Sequence, residues 1–423
     1  MRPLLDAFFQ KLQAFTRTDI SYLLKGGSWL MLNYGIQIGS GILTTVALAN
    51  FLPKDIYGTY QFVIAVASII SVFTLSGLGP AVTRAVAQGN DGVLRHGVRL
   101  KFRWSFGILL VAGATASYYA VRGDQTLAIA FLIVGACAPF IESFNLYENF
   151  LHGKKSFKDS VILGAWRKPL PLIAVITAAY FTNDILIILA AYFVSNAVSM
   201  VAVYYSVTKK YQPPNNSDLG TTQLGTHLST LVIVGRIAEH ADKLLLWHFL
   251  GPVAVATFTI AQFAARYSSG LLNTLSALVI PKAATQDLET LQKTLPRKVL
   301  LLMFAMAAGA LVYVLFIPLV FPILFPEYVK AIALAQFLGL TFLFAPSTIY
   351  GKALIAHKKI TSQYIINLVS VVSRIFLLLM LIPLYDIWGA AYALILSQAL
   401  IMVLAYFLFK KASPEGTPGT LKG

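Results

Sequence analysis

The chain has 423 residues, of which 57% are hydrophobic and 12% charged, against about a quarter charged in a soluble domain. So few charges cannot cover the roughly three soluble domains that this length would otherwise suggest, and so apolar a chain cannot remain disordered. The 33 Lys and Arg against 17 Asp and Glu give a net charge of +16. With this composition the excess reads as the positive-inside bias of a multi-pass membrane protein rather than as a nucleic-acid surface.

Residues 1–20 carry Asp6 and Asp19 and no long apolar core, so they do not read as a secretory signal. Leu4, Leu5, Phe8, Phe9, Leu12 and Phe15 recur at helical spacing, which predicts an amphipathic helix lying on the cytoplasmic leaflet. A spanning helix needs about 20 mostly apolar residues. Such stretches occur at 28–49, 57–76, 104–121, 127–150, 161–181 and 185–207, and again at 228–250, 253–280, 299–321, 331–350, 361–384 and 387–409. The prediction is an all-α polytopic membrane protein with twelve transmembrane helices in two six-helix lobes. The first lobe covers 21–207 and the second 228–410. A linker at 208–227, containing Pro213-Pro214-Asn215-Asn216, separates them, and a tail runs over 411–423.

Placing the N-terminus inside and alternating the loops puts 24 Lys and Arg on the inner side. Only Lys54, Arg122 and Lys330 fall on the outer side, and six lie within spans. This bias predicts that both termini are cytoplasmic. The halves also look related. Residues 51–60 (FLPKDIYGTY) align without gaps on 249–258 (FLGPVAVATF), each joining the first span of a half to its second. Six spans is an even number, so such a repeat is parallel, with its pseudo-twofold along the membrane normal. A site between two such halves is a transporter layout.

Polar groups inside spans are costly and face an interior. Three spans carry polar residues at the same helical spacing: Asn33, Gln37, Ser40 and Thr44 in the first, Gln262, Arg266, Ser269 and Asn273 in the eighth, and Gln363, Asn367, Ser370 and Arg374 in the eleventh. Each stripe covers about 16 Å of helix rise. The stripes predict a shared hydrated cavity, with interhelical hydrogen bonding as the alternative. The six basic residues within spans are Arg167, Lys168, Arg236, Lys243, Arg266 and Arg374. They outnumber the intramembrane acids Glu142, Glu148, Glu239 and Asp242. A net-positive cavity suits an anionic group such as a phosphate, which arginine grips bidentately. Arg266 and Arg374 are the mid-span anchors, and Arg236 and Lys243 are further cavity candidates.

The seventh span is the densest, with Arg236, Glu239, His240, Asp242 and Lys243. Glu239 and Lys243 are spaced for an i,i+4 ion pair. An alternative places this stretch outside the membrane, with the span starting at Leu244. Glu142, Asp242 and His240 are the groups that could carry a coupling proton. Glu142 is preferred because its own span holds no cation; the alternative pairs it structurally with Arg167 or Lys168. The single cysteine, Cys137, allows no intramolecular disulfide and no cysteine metal site. No P-loop, GxGxxG, HExxH or GxSxG spacing is present, so no cofactor, metal or enzymatic site is expected, and direct use of ATP is not expected either.

Several stretches resemble the polysaccharide-biosynthesis flippases, the O-antigen transporter type of the multidrug/oligosaccharidyl-lipid/polysaccharide (MOP) exporter superfamily. They are Lys25-Gly26-Gly27-Ser28-Trp29, the 51–60 segment followed by Gly77-Leu78-Gly79-Pro80-Ala81-Val82-Thr83-Arg84, Asp242-Lys243-Leu244-Leu245-Leu246 with Phe249-Leu250-Gly251, and Pro326-Glu327-Tyr328-Val329-Lys330-Ala331. The resemblance implies a MATE-like, V-shaped pair of six-helix lobes, alternating access and a cationic central cavity. It implies a substrate of sugar units on polyprenyl pyrophosphate, moved across a bacterial plasma membrane for surface polysaccharide such as O-antigen or capsule. The implied partners are this lipid-linked oligosaccharide, membrane lipid, and polysaccharide polymerase and glycosyltransferases, with no nucleic acid. Unlike the lipid II flippases of the superfamily, the first stripe is neutral and no two further helices follow the twelfth span, which argues against a peptidoglycan-precursor role. Two other readings compete. A cation-coupled multidrug exporter would more naturally have an acidic cavity. A membrane glycosyltransferase, a polymerase or ligase, would carry a large external loop, and the sequence has none between its spans.

The topology is testable with reporter fusions. Fusions at Asp124, Asp184 and Asp386 are expected outside, and those at Asn90, Asn215 and Gly423 inside. An external Gly423 overturns the twelve-span arrangement.

Overall fold

The computed structural model describes residues 20–214, 219–276, 287–357 and 359–413. The expected interfacial helix lies outside them except for Ile20, as do 215–218 of the expected linker and 414–423 of the tail. Among the described residues the chain is helical, with no strand.

The helical segments are α1 (Ile20–Phe51), α2 (Lys54–Thr74), the short α3 (Leu78–Ala87), α4 (Val93–Val121), α5 (Gln125–Gly153), α6 (Phe157–Phe181), α7 (Ile185–Tyr211) and α8 (Leu219–Leu250). They continue with α9 (Pro252–Ser276), α10 (Leu288–Leu324), α11 (Pro326–Ala356), which is a run of short helices, and α12 (Ile360–Lys411). Eight of these stretches are long and apolar enough to cross a membrane on length and composition alone. The last of them is part of α12, whose 52 residues would extend about 78 Å as one straight helix. That is more than twice the hydrocarbon thickness of about 30 Å. The chain folds back at Tyr385 and Asp386, where Asp386 has φ 52°, so α12 supplies two passes. With the more polar α1, α8 and α9, the helices account for twelve passes.

Helix ends follow local chemistry. The Asp124 carboxylate accepts from the Leu127 amide at 2.9 Å to open α5, and Asp184 accepts from the Leu186 amide at 2.8 Å to open α7. Both are N-caps that satisfy orphan amides. Gly251, at φ 80°, is the only residue between α8 and α9, and Pro252 follows it. This is the usual glycine-after, proline-first arrangement. The aligned repeat is visible here: α2 starts at Lys54 and α9 at Pro252, which are the same position in the 51–60 and 249–258 alignment.

The chain divides into two compact units. Unit 1 holds residues 1–48 and 70–232, and unit 2 holds 49–69 and 233–423. The segment 49–69, most of α2, therefore clusters with residues from the second half of the chain. Unit 1 has a core in which Leu78, Val82 and Leu94 meet Tyr147, Phe150 and Met200. Unit 2 has one in which Leu288, Leu291 and Val299 meet Tyr350, Leu354 and Phe409. By contrast, α10 exposes Leu301, Phe304, Leu311, Leu315, Leu319 and Ile323. An outward face this apolar suits lipid and not water.

Gly58 shows why α2 belongs to unit 2. A Cβ at this position would lie 1.8 Å from the Pro252 carbonyl oxygen, so only glycine lets the start of α2 approach the start of α9. Gly58→Ala must force two backbones apart, a cost on the order of 1–3 kcal/mol. The full-length protein in detergent is expected to unfold at a lower temperature with Gly58→Ala. Gly113→Ala, whose Cβ would meet nothing within 4 Å, is expected to leave the midpoint unchanged. Equal midpoints for the two variants would refute the close approach.

Candidate functional site

Three polar residues of α8, His240, Asp242 and Lys243, are built into the interior of unit 2. Asp242 is 1% exposed and Lys243 3% exposed. The Asp242 Oδ2 accepts from Arg374 Nη2 of α12 at 3.2 Å, and its Oδ1 accepts from the Lys243 amide at 2.8 Å. Lys243 Nζ donates to Gln61 Oε1 of α2 at 2.7 Å, and Gln61 Nε2 donates to the Tyr57 hydroxyl at 2.9 Å. Phe62 stacks on Trp247 at 4.2 Å between centroids. A charge this deep is tolerated only when paired or hydrogen-bonded, and both Asp242 and Lys243 meet that condition.

One expectation changes here. The Glu239–Lys243 ion pair does not form. Glu239 is exposed and lies 3.9 Å from Arg236 at i−3, while Lys243 turns inward to the Gln61 amide. Spacing places Glu239 and Lys243 on one face but does not choose between a solvent-side and an interior partner. The polar stretch itself keeps its helical geometry throughout. It lies within a continuous helix from Leu219 to Leu250. His240 is buried too, and its Nδ1 has no hydrogen-bond partner among the described residues.

The stripes of α9 and α12 both lie in unit 2. On α9, Gln262 is buried and accepts from Arg266 Nη2 at 3.4 Å, while Arg266 is itself exposed. No carboxylate pairs with Arg266 among the described ion pairs. The Asn273 side chain lies outside the described ones. On α12, Gln363 Nε2 donates to Asn367 Oδ1 at 3.0 Å, and Asn367 is exposed. Further along α12, Ser370 and Arg374 line a cavity of about 220 Å³ with residues of α11.

The stripe of α1 lies in unit 1. Asn33 is buried, close to Gly164 of α6, and Gln37 is exposed. Ser40 and Thr44 donate to the carbonyls of Gln37 and Ser40, at 3.0 and 2.8 Å. Also in unit 1, Glu142 meets Lys101 rather than Arg167 or Lys168. The Lys101 Nζ is 4.0 Å from the Glu142 carboxylate and donates to the Glu142 carbonyl at 2.8 Å. It does so in the last turn before the break at Asn145, where a cation is favoured by the helix dipole. Arg167 instead donates to the Met200 sulfur at 3.4 Å, and Lys168 sits at the break that Pro169 imposes on α6. Sequence reasoning did not find Gln61, Tyr57 or Lys101. Gln61 is the one side-chain amide in a span (57–76) without charged residues, which is a usable signal, whereas Lys101 reads as one more inner-loop cation. No cluster of three or more metal-ligating side chains occurs among the described residues.

This is the architecture of the MOP transporters. The chain has a TM-score of 0.65 to an outward-facing multidrug resistance MATE family transporter of that superfamily, at 14% identity, covering 92% of this chain and 94% of that one. It is as similar to the lipid II flippase MurJ in an inward closed conformation, with a TM-score of 0.65 at 15% identity, covering 92% and 88%. A MOP superfamily transporter from Pyrococcus furiosus follows with 0.60 at 15% identity, covering 92% and 96%. A polysaccharide biosynthesis protein family model matches residues 23–284, and the chain belongs to that family. No protein of curated function matches it in sequence.

The Asp242–Arg374 pair makes a stability prediction. Asp242→Ala strands a mostly buried guanidinium, which costs about 3 kcal/mol, whereas replacing both partners by apolar residues is often neutral. Thermal unfolding of the full-length protein is expected to show a clear drop for Asp242→Ala and recovery of most of it in the Asp242→Leu, Arg374→Leu double variant. A double variant no more stable than the single one counts against a buried pair.

Proposed function

We propose that the protein is a flippase that moves a polyprenyl-pyrophosphate-linked oligosaccharide across a bacterial plasma membrane by alternating access, for surface polysaccharide such as O-antigen or capsule. Membership of the polysaccharide biosynthesis family carries this reading. The fold agrees with it, since MurJ, which shares it, is a lipid II flippase. The polar chemistry of unit 2 adds a second argument. Arg374 is neutralised by Asp242, but Arg266 is exposed and meets only the neutral Gln262 among its described partners. Arg266 is therefore the cation best placed to hold the pyrophosphate, and Arg374 takes a different part. A multidrug exporter shares the fold, yet cationic drugs would be repelled by an exposed guanidinium. In the Pyrococcus furiosus transporter of the superfamily, a reverse polarity of the binding pocket suggests a different function, which supports using pocket charge to choose between the two readings.

Arg266→Ala is expected to abolish surface polysaccharide export in cells while the protein stays in the membrane at its normal level. Arg266→Lys is expected to restore export only in part, because the ammonium lacks the bidentate fork. Normal polysaccharide with Arg266→Ala overturns the anchor.

A further inference from the structure

The cavity of unit 2 at Arg374 has a donor and acceptor pattern that discriminates among ligands. Four hydroxyls on its wall have already spent their only proton on the backbone. Thr341 donates to the Leu338 carbonyl at 2.7 Å, Ser347 to Phe344 at 2.6 Å, Thr348 to Ala345 at 2.9 Å, and Ser397 to Leu394 at 2.9 Å. Each hydroxyl has one donor and two lone pairs, so these four oxygens offer acceptors to the cavity. The donors come from Gln398 and from Arg374. Only the Nη2 of Arg374 has a partner among the described residues, and its Nε is buried without one. Phe344, Ala345 and Ile401 add an apolar wall.

Charge decides next. Asp242 offsets Arg374 at 3.2 Å, so the site is close to neutral. An anion would face four lone pairs with no uncompensated cation. A metal cation would face the guanidinium. An apolar ligand would strand the polar wall, and each stranded buried group costs about 1–3 kcal/mol. A neutral group whose hydroxyls both donate and accept satisfies both halves of the wall, and its C–H face can lie on Phe344 and Ile401. The volume of about 220 Å³ is below the roughly 300–1,000 Å³ of drug-sized sites, which limits the occupant to one ring.

We infer that this cavity is a sugar subsite, binding a single neutral hexose-type ring of the transported glycan. The inference rests on the flippase reading and adds a specificity element to it. Arg374, fixed by Asp242, serves as a hydrogen-bond donor to sugar oxygens rather than as a phosphate anchor.

The test uses the purified full-length protein in detergent. Its thermal midpoint is followed against glucose, galactose, mannose and N-acetylglucosamine, with glucuronate and inorganic phosphate as anionic arms. Ser370→Leu, which fills the cavity from a position with no described side-chain hydrogen bond, controls for the general stabilising effect of sugars as excluded osmolytes. At least one neutral hexose is expected to raise the midpoint saturably, with half-saturation shifted at least tenfold in Ser370→Leu and no response to either anion. Indistinguishable responses of the two proteins to every hexose overturn the proposal and leave a water-filled cavity. A saturable response to phosphate overturns it in favour of an anion site. Should Ser370→Leu not fold, Gln398→Leu is titrated in the same way and judged by the same outcomes. Polysaccharide export separates this inference from the flippase reading. Export that is lost with Arg266→Ala but normal in composition and amount with Ser370→Leu sinks the subsite alone. Export that persists after deletion of the whole protein sinks the flippase reading, while the hexose titration still decides the cavity.

Discussion

The constraint on which the structure depends is that a bilayer offers no water to satisfy a polar group. Backbone amides and carbonyls must then be paired within the segment, which leaves only helices for a single open chain. Several departures from helicity among the described residues come with a local remedy. The break at Asn145 is preceded by a carbonyl that accepts from Lys101. The joint between α8 and α9 is one glycine in the left-handed region followed by a proline that has no amide to satisfy. Serine and threonine hydroxyls along α1, α11 and α12 bond back to their own helix. These side chains remain polar to their neighbours only through lone pairs, which is how a helix can line a polar cavity without stranding donors.

The same constraint governs the charges. Asp242 and Lys243 are adjacent in sequence and both nearly inaccessible, yet they do not simply neutralise each other. The carboxylate side chain reaches Arg374 on α12, while the ammonium reaches Gln61 on α2. One turn of α8 thus ties together three helices that are far apart in the chain. A pair of this kind adds little net stability against well-packed apolar side chains, but it is costly to break. Its effect is to fix which helices adjoin α8 and to hold Arg374 in one orientation at the cavity wall. Arg266 has no such counter-charge among the described ion pairs and lies exposed, so the two arginines, second in one stripe and last in the other, are left for different chemistry.

The placement of α2 follows from the same contacts. Gly58 allows a backbone approach to Pro252, Gln61 takes the Lys243 ammonium, and Phe62 stacks on Trp247. All three lie on residues that cluster with unit 2 although they precede most of unit 1 in sequence. The repeated segments at 51–60 and 249–258 begin their helices at the same aligned position, and it is these two starts that meet at Gly58 and Pro252.

Much was legible in the sequence because the bilayer imposes it residue by residue. The all-α class, the number of passes, the joints at 51–54 and 249–252 and the fold-back near Asp386 follow from runs of apolar residues and from glycine, proline and aspartate between them. The polar stripes were legible as helical faces, since 3.6-residue periodicity is a property of one helix. Their partners were not. That Glu239 would take Arg236 and leave Lys243 to Gln61, that Glu142 would meet Lys101, and that Asp242 would neutralise Arg374 while no described carboxylate pairs with Arg266, depend on which helices lie side by side. Those choices are made between segments up to 182 positions apart in the chain, by close approach at a glycine and by the cost of leaving a buried charge unpaired. Neither is a property of any single span, so only the tertiary structure decided them.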